Sequence, residues 1–312
     1  IVGITSLNSN GISVADYDND NDLDIFVVAK AIDDEENSNS ISRLYRNNND
    51  GSFTDVTELA GFSDLYTPEE IPEAFEGLDG YKYGAYWGDY NNDGFPDLFL
   101  TYLDSVQLWR NLGNGTFADV TVFAGLNASN NCGNNLDGEF DLFVTSVDDN
   151  FLLTNNGDGT FSELADTNGV GNSLWAWGTK FSDFDLDGDE DLFVANGFVP
   201  NRRGEEANIY YRNSAAQGSV AFSDVSGLLG LNESGISVEA LDFDYDNDGD
   251  MDLIVSNSDR ECFFYENKLL NFDDTVSTLN WFKVHLEGTT SNRDAIGTIV
   301  TITTTNGTLK RY

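Results

Sequence analysis

Short apolar runs recur along this chain, and the clearest four begin directly after loops that are rich in Asp and Asn. The runs are Ile25-Phe26-Val27, Leu98-Phe99-Leu100, Leu192-Phe193-Val194 and Leu253-Ile254-Val255. They are short and rich in β-branched and aromatic residues, which favours buried strands over helices. Each acidic loop is therefore predicted to join two β-strands.

A longer pattern surrounds each run and repeats with it. A second apolar stretch ends in Asn, a Gly-containing turn follows, and then a Phe opens a stretch of Thr, Ser, Asp and Val. The asparagines are Asn47, Asn111, Asn155 and Asn213, and the phenylalanines are Phe53, Phe117, Phe161 and Phe222. Turns 49–52, 113–116 and 157–160 contain Asn-Gly or Asp-Gly, the strongest short-range hairpin signal. Each repeat is thus predicted to contain four short strands.

Five such repeats predict a β-propeller, because four strands in a unit of several tens of residues match a propeller blade. The predicted fold class is all-β, a propeller of four-stranded blades with a short C-terminal β segment. The repeats span about 11–62, 82–127, 130–172, 174–232 and 235–275, within a propeller region of 1–275 that is followed by the segment 276–312. Residues 63–82, which contain Pro68 and Pro72, are expected to form a surface insertion between blades.

The acidic loops place oxygen-bearing side chains at loop positions 1, 3, 5 and 9. The four complete loops are 16–24 (loop 1), 89–97 (loop 2), 183–191 (loop 4) and 244–252 (loop 5). Hard oxygen ligands at this density, with Gly at position 6 of three loops for the sharp turn, suit a cation that takes about six to eight oxygens. The sequence therefore predicts calcium, at about four sites in Asp-rich loops. The candidate ligands, which include the position-7 aspartates, are Asp16, Asp18, Asp20, Asp22, Asp24, Asp89, Asn91, Asp93, Asp97, Asp183, Asp185, Asp187, Asp189, Asp191, Asp244, Asp246, Asp248, Asp250 and Asp252.

An EF-hand is the obvious alternative, because its loop begins with the same spacing. It needs a Glu at position 12 and a flanking helix on each side, and the sequence indicates neither. Mg²⁺ prefers a tighter octahedron, and Zn²⁺ prefers His and Cys, of which the chain has 1 and 2. The remaining alternative is an acidic surface turn that binds nothing, which would leave closely spaced like charges without a neutralising cation.

The third loop, 133–141 (loop 3), departs from the pattern. Gly133 takes position 1, with Asn135, Asp137 and Asp141 at positions 3, 5 and 9. Because one side-chain ligand is lost, this loop is expected to bind calcium weakly or to be held by its own hydrogen bonds without an ordinary site.

Composition narrows the choice of partners. There are 55 acidic against 15 basic residues, a net charge of −40. Such a field repels nucleic acid and anionic membranes and favours divalent cations. No apolar run approaches the roughly 18 residues that a transmembrane segment needs, so none is expected. Cys132 and Cys262 are compatible with a disulfide or with two free thiols.

The repeats resemble the FG-GAP-like (VCBS-type) family, whose loop reads Asp-x-Asp-x-Asp-Gly-x-x-Asp-Leu and whose blades build the β-propeller of integrin α subunits. The resemblance covers about residues 11–270. It implies an extracellular or cell-surface, calcium-stabilised propeller that serves adhesion or ligand binding. The chain departs from the family pattern at Asn21, which replaces the loop Gly, at Asn91, which replaces an Asp, and throughout loop 3. The family's usual ring has seven blades, so the five repeats leave ring closure open.

The C-terminal residues resemble the opening of the ASPIC/UnbV domain, on the segments 280–288 and 291–301. That domain follows FG-GAP repeats in exported proteins. The Asn306-Gly307 pair predicts a hairpin with a short returning strand, and the segment is expected to pack on the last blade or to be poorly ordered. The chain begins at Ile1 without Met and stops at Tyr312, and both ends are expected to be internal to a longer exported protein.

Three function classes remain open. The favoured class is a non-catalytic adhesion or ligand-binding module for an unidentified protein or glycan, because calcium accounts for the recurring acids and His285 is the only histidine. The second is a secreted protein that binds or cleaves polysaccharide through its carboxylates. The third is a structural subunit that self-assembles through open sheet edges. The recurring aromatic residues are expected in the core between blades rather than in a sugar platform; they are Trp87, Trp109, Trp175, Trp177, Tyr45 and Tyr210.

Overall fold

The computed structural model describes residue 4 and the ranges 9–29, 42–62, 82–102, 106–126, 141–197, 205–214, 221–270, 283–288, 298–303 and 308–311. Within these ranges the fold is all-β, apart from the two four-residue helices α1 (Ala165–Asn168) and α2 (Ser226–Leu229). The architecture is a β-propeller built from antiparallel blade sheets, five of which contribute strands to the described residues. The predicted fold class is confirmed.

Blades 1 and 2 are complete four-stranded sheets whose strands pair in chain order. Blade 1 contains β1 (Ser9–Ala15), β2 (Asp24–Ala29), β3 (Arg43–Asn47) and β4 (Phe53–Asp55). Blade 2 contains β5 (Lys82–Gly88), β6 (Asp97–Tyr102), β7 (Val106–Asn111) and β8 (Phe117–Asp119). The predicted insertion at 63–82 lies outside the described residues except for Lys82, which begins β5.

Blades 3, 4 and 5 follow the same order. Blade 3 contains β9 (Leu142–Val144), β11 (Phe151–Asn155) and β12 (Phe161–Glu163). Blade 4 contains β13 (Asn172–Ser182), β14 (Asp191–Asn196), β16 (Ile209–Asn213) and β17 (Phe222–Asp224), with β10 (Val147–Asp149) added beside β13. Blade 5 contains β19 (Ser237–Phe243), β20 (Asp252–Asn257) and β21 (Phe263–Tyr265). The short strands β15 (Glu206–Ala207) and β18 (Ser234–Gly235) pair with each other.

The strand bounds confirm the predicted repeat. Each complete acidic loop joins the first two strands of a blade, and its position-9 aspartate is the first residue of the second strand. The predicted asparagines end the third strands, and the predicted phenylalanines open the fourth strands. Of loop 3, only Asp141 lies within the described residues, so the expectations for Gly133, Asn135 and Asp137 fall outside them.

The chain divides into two compact units, each with its own core. The first comprises Ile1–Asn130, Asn156–Phe161 and His285–Tyr312, and the second comprises Asn131–Asn155 and Ser162–Val284. In the first unit, Phe62 lies 4.9 Å from both Trp109 and Phe117 between ring centroids. Aromatic rings bury large apolar areas, so this cluster stabilises the packing of blade 1 on blade 2.

Blade 4 carries the core of the second unit on both of its faces. Leu192 and Val194 pack on one face with Leu152 of blade 3, whereas Phe193 packs on the other with Val255 of blade 5. Successive residues of a strand point to opposite faces, so a strand with neighbours on both sides needs a continuous apolar run. The predicted core positions are confirmed for Tyr45, Trp109, Trp175 and Tyr210, which are buried, while Trp87 and Trp177 are half-buried.

A turn after the fourth strand was not anticipated from the sequence. In blades 1 and 2 it ends in Ala-Gly followed by a buried apolar residue, at 60–62 and 124–126. The carbonyl of Ala60 accepts the N–H of Phe117 at 2.8 Å, and the carbonyl of Ala124 accepts the N–H of Phe161 at 2.9 Å. Each turn therefore holds the first residue of the next blade's fourth strand.

The complete acidic loops share an unusual backbone conformation. Position 6 has a positive φ in every complete loop, at Asn21 (78°), Gly94 (89°), Gly188 (103°) and Gly249 (101°). Position 4 is also left-handed, at Asn19 (57°), Asn92 (56°), Leu186 (56°) and Asn247 (61°). Gly and Asn adopt this conformation at low cost, whereas other L-residues lose about 1–2 kcal/mol. Asn21 is therefore an adequate replacement for the loop Gly, and Leu186 is a local weakness.

The C-terminal strands form a hairpin of their own. Strands β22 (Val300–Thr303) and β23 (Thr308–Arg311) pair over four residues each, as the hairpin prediction requires, and the connecting residues 304–307 lie outside the described ranges. Residues His285–Tyr312 belong to the first unit, whereas blade 5 belongs to the second. Among the described strands, β22 and β23 pair with each other in a two-stranded sheet, and the expectation that the segment packs on the last blade or is poorly ordered stays a prediction.

Two smaller findings concern membrane segments and cysteines. Among the described residues, no helix is both long enough and apolar enough to cross a membrane. Cys262 is an exposed free thiol, and Cys132 lies outside the described ranges.

Leu186→Asn should stabilise the protein by about 1 kcal/mol, because Asn tolerates the left-handed backbone that Leu186 is forced to adopt. The reciprocal change Asn247→Leu, at the same position of loop 5, should destabilise by a similar amount. Urea unfolding of both variants measures the two changes. Equal effects of the same sign would contradict the backbone explanation.

Candidate metal centres

Each metal loop is built on its position-9 aspartate. The side chains of Asp24, Asp97, Asp191 and Asp252 are at most 1% exposed. In each case one carboxylate oxygen accepts the backbone N–H of the terminal asparagine, which ends the third strand in blades 1, 2 and 4 and lies just after β21 in blade 5. The pairs are Asp24–Asn47 (2.8 Å), Asp97–Asn111 (2.7 Å), Asp191–Asn213 (2.9 Å) and Asp252–Asn267 (2.9 Å), and Asp141–Asn155 (2.7 Å) repeats the bond in blade 3. This aspartate therefore ties the loop to the hairpin between the third and fourth strands.

The second oxygen of the same aspartate faces the start of its loop. It accepts the N–H of the position-2 residue in loops 1, 2 and 5, from Tyr17 (3.3 Å), Tyr90 (3.2 Å) and Tyr245 (2.9 Å). In loop 4 the hydroxyl of Tyr210 donates to Asp191 Oδ2 instead, at 2.5 Å. The bond from the loop backbone is thus replaced by one from a neighbouring strand.

The position-1 aspartate closes the loop from inside. Asp16 accepts the N–H groups of Asp20 and Asn21, both at 3.0 Å. Asp89 accepts those of Asp93 (3.0 Å) and Gly94 (2.8 Å) in the same way. These bonds draw the backbone of positions 5 and 6 towards the carboxylate, which is why position 6 needs a left-handed residue.

Three loops bring together carboxylates that could hold a metal ion. The groups are Asp16, Asp18 and Asp24, then Asp183, Asp185 and Asp187, and then Asp244, Asp246 and Asp248, with one oxygen of each residue within 4.8 Å of the others. In loop 2 the position-3 residue is Asn91, whose Oδ1 accepts the N–H of Asp93 at 2.9 Å. At positions 1, 3, 5 and 9, loop 2 therefore offers one negative charge fewer than the other complete loops, and it has Phe95 where they have an aspartate at position 7.

Several of these oxygens are buried and have no hydrogen-bond partner. They include Oδ1 of Asp18, Asp185 and Asp244, at loop positions 3, 3 and 1. A buried carboxylate oxygen without a donor is costly unless a cation compensates it. All of the candidate metal ligands are oxygen atoms, so the described residues fit a hard cation such as calcium.

Position 7 is less uniform than the ligand pattern suggested. Asp22 and Asp189 each donate a backbone N–H to the position-5 carboxylate, at 3.1 and 3.0 Å. Asp250 is completely buried, and its Oδ2 accepts the N–H of Leu270 at 2.6 Å. This contact links loop 5 to the chain that follows β21.

Burial raises the pKa of several loop carboxyls. It raises the pKa of Asp24 to about 7 and that of Asp97 to about 8, and neighbouring carboxylates add to the effect. Burial also raises the pKa of Asp191 and of Asp250, each to about 6. Without a cation, these sites therefore hold protons at a higher pH than an exposed Asp does.

Two charged residues beside the loops were not anticipated from the sequence. Arg212, which precedes Asn213, lies 3.2 Å from Asp185 Oδ2 through its Nε. In blade 5 Glu266 takes the same place, directly before Asn267. Burial and, as the next largest cause, the charge of Glu266 raise the pKa of the Tyr245 hydroxyl. The sequence contains a signal for this difference in charge, because Arg-Asn at 212–213 and Glu-Asn at 266–267 occupy equivalent places in the repeat.

The comparison with protein families supports the repeat. The FG-GAP-like repeat matches residues 77–134 and 135–194. The matched segments include blade 2 and loops 2, 3 and 4. No curated protein matches this chain.

Two solved structures are distantly similar. One is an Agrocybe aegerita lectin described for specific recognition of non-reducing terminal N-acetylglucosamine; it is 15% identical, with a TM-score of 0.36, and the match covers 84% of this chain and 81% of the lectin. The other is the Photorhabdus luminescens Tc holotoxin pore, which is 18% identical with a TM-score of 0.35; the match covers 84% of this chain but 11% of that one. From its strand order this chain is a β-propeller, and the FG-GAP-like repeat matches part of it, at residues 77–134 and 135–194.

Proposed function

We propose that this protein is a calcium-binding, non-catalytic ligand-binding module that acts outside the cell or at its surface. The observation that carries the proposal is the set of converging carboxylates with buried oxygens that lack a donor, at Asp18, Asp185 and Asp244. A bound divalent cation would supply the positive charge that these oxygens lack. The flanking strands would provide a rigid frame for it.

Calcium fits these oxygen ligands better than other metals do. Its flexible coordination by about six to eight oxygens suits loops that offer several Asp side chains and backbone carbonyls, whereas Mg²⁺ requires a nearly ideal octahedron. Four sites are proposed, at loops 1, 2, 4 and 5. Loop 3 is proposed to be weak or empty because it lacks an acid at position 1.

An extracellular location follows from the expected affinity. Loops that offer ordinary carboxylates on a half-exposed surface resemble modules that bind calcium at about 10⁻⁴–10⁻³ M. Such sites fill where calcium is millimolar, and the net charge of −40 favours divalent cations.

The proposed activity is adhesion or binding of a protein or glycan rather than catalysis. The recurring acids are accounted for by metal binding and by backbone hydrogen bonds, which leaves no acid–base pair assigned to a reaction. Binding or cleavage of an acidic polysaccharide is the alternative, and a glycan array combined with lyase and hydrolase assays separates the two. A structural role through self-assembly is the third candidate, and size-exclusion chromatography tests it.

The hairpin of β22 and β23 is proposed to be the start of an ASPIC/UnbV-like unit. Among the described strands, β22 and β23 pair with no strand except each other, which supports a unit separate from the blades. Solving the structure of a longer form of the protein would test this assignment.

Removing calcium should lower the thermal stability sharply. With a dissociation constant of about 0.1–1 mM, calcium at ten times that concentration adds about 1.4 kcal/mol per site, so four sites add about 5–6 kcal/mol. Differential scanning calorimetry in excess EDTA and in millimolar calcium measures the change, with magnesium at the same concentration as the control. An unchanged melting temperature would sink the proposal.

In EDTA, stability should fall as the pH rises from about 5 to 8. The raised pKa values of Asp24 and Asp97, about 7 and 8, mean that the folded state holds protons that the unfolded chain releases near its ordinary pKa of 3.8. Folding is therefore favoured at the acidic end of this window. Saturating calcium should flatten the dependence, because the cation replaces the proton. A melting temperature in EDTA that increases steadily from pH 5 to 8 would contradict the burial argument.

Arg212→Gln should have opposite effects with and without calcium. The arginine neutralises Asp185 when no cation is bound and repels a bound cation, so the variant should bind calcium about two- to fivefold more tightly at loop 4 and melt at a lower temperature in EDTA. The matched control, Glu266→Gln, should weaken binding at loop 5. Isothermal titration calorimetry checks both, and a change of the same sign in both affinities would rule out the charge explanation.

A further inference from the structure

Asn111 makes the same contacts within its own blade as Asn47 makes in blade 1. It is 1% exposed, and its backbone N–H donates to Asp97. Its Nδ2 donates to the Pro96 carbonyl at 3.0 Å, and its Oδ1 accepts the N–H of Gly113 at 3.0 Å. Asn47 makes the corresponding set in blade 1, with Nδ2 donating to the Leu23 carbonyl at 3.1 Å and Oδ1 accepting the N–H of Asn49. These bonds hold an asparagine to its own loop and hairpin.

Asn111 makes one further bond, which reaches the loop of the preceding blade. Its Nδ2 donates to the carbonyl of Tyr17 at 2.8 Å. Tyr17 lies between the candidate ligands Asp16 and Asp18, and its N–H donates to Asp24 Oδ2 at 3.3 Å. The backbone at this point of loop 1 is therefore held on one side by its own buried aspartate and on the other by a side chain of blade 2.

We propose that Asn111 is a positioning residue shared by two metal loops, fixing the backbone between Asp16 and Asp18 in loop 1 while it anchors loop 2 through Asp97. The proposal rests on the proposed function, in which these loops bind calcium. Groups that orient the ligands of a metal contribute to its affinity although they do not touch it. A rotation of the Tyr17 peptide would move both adjacent carboxylates, so the bond from Asn111 limits their freedom.

The shared residue predicts coupling between the two sites. Calcium at loop 2 would order Asp97 and Asn111, and Asn111 would then hold loop 1 in its binding geometry. Such coupling is reciprocal, so calcium at loop 1 favours binding at loop 2 equally. A second link, from Asn19 Nδ2 to the Gly94 carbonyl at 3.0 Å, joins the same two loops at the surface.

The second unit contains a similar but weaker arrangement. Asn267 Nδ2 donates to the carbonyl of Phe184 at 2.8 Å, and Phe184 lies between Asp183 and Asp185 in loop 4. However, Asp191 Oδ2 accepts the hydroxyl of Tyr210, where Asp24 Oδ2 accepts a loop N–H. The Phe184 peptide that Asn267 contacts is therefore not held to the buried Asp191 by a loop N–H, as the Tyr17 peptide is held to Asp24.

The test isolates loop 1 within the full chain. Asp93→Ala, Asp185→Ala and Asp246→Ala together disable loops 2, 4 and 5, and isothermal titration calorimetry measures the calcium affinity that remains. Adding Asn111→Ala should weaken this affinity about three- to tenfold, the effect of losing the one buried hydrogen bond by which the side chain reaches loop 1. Adding Asn267→Ala instead, which removes the same kind of bond in the second unit, should leave it unchanged.

A converse measurement uses a chain in which loop 2 alone remains intact, with Asp18→Ala replacing Asp93→Ala. There Asn47→Ala should leave the calcium affinity unchanged, because Asn47 bonds to loop 1 and its own hairpin. Asn111→Ala should weaken it. A general loss of stability would weaken binding in both variants and would overturn the proposal.

The outcomes separate the two proposals. If calcium binds to loop 1 with the same affinity with and without Asn111→Ala, the shared role is wrong and the proposed function stands. If neither the unsubstituted protein nor the loop 1 chain binds calcium, the proposed function is wrong. Asn111→Leu, whose side chain has the same branching and the same number of heavy atoms, repeats the measurement without a cavity. If both Asn111 variants fail to fold, the calcium affinity of loop 1 is measured twice, once with loop 2 intact and once with loop 2 disabled by Asp93→Ala. Tighter binding at loop 1 when loop 2 is intact supports the coupling, and equal affinities overturn it.

Discussion

The structure depends on a buried aspartate at the start of the second strand in blades 1, 2, 4 and 5. A carboxylate in this environment is stable only if hydrogen bonds or charge compensate its lost hydration. The N–H of the terminal asparagine supplies part of that compensation in every blade, over 2.7–2.9 Å. One acid thus connects three parts of the repeat: the metal loop, the second strand and the hairpin that follows the third strand.

This compensation is incomplete, and a bound cation would supply the deficit. Burial still raises the pKa of Asp97 to about 8, and Asp18, Asp185 and Asp244 retain buried oxygens without donors. A cation or a proton must supply the remaining stabilisation. Because the same acids hold the loop to the blade, the proposed metal binding would be linked to folding through one set of contacts. The four complete loops differ in their neighbouring charges, so their affinities should differ although their backbones are alike.

Contacts between successive blades reuse the same elements. Within the first unit, the turn at 60–62 accepts a hydrogen bond from blade 2, Asn111 donates to loop 1, and Phe62 packs against Trp109 and Phe117. A single blade cannot bury both of its faces, and repeat proteins gain much of their stability from such neighbour contacts. In this protein, the metal loops lie at the ends of the strands that make those contacts.

The sequence by itself determined the repeat, the strand order and the identity of the acidic loops. Those features depend on local rules, namely apolar runs, Gly- and Asn-containing turns and the spacing of oxygen side chains, which are legible in one chain. The tertiary structure alone decided which partner each polar group takes. That Asn111 reaches loop 1, that Tyr210 replaces a backbone donor at Asp191, and that Arg212 pairs with Asp185 depend on residues that are distant in sequence or on different strands. Local pattern cannot specify those contacts, because they arise when strands and blades pack and bring separate repeats within hydrogen-bonding distance.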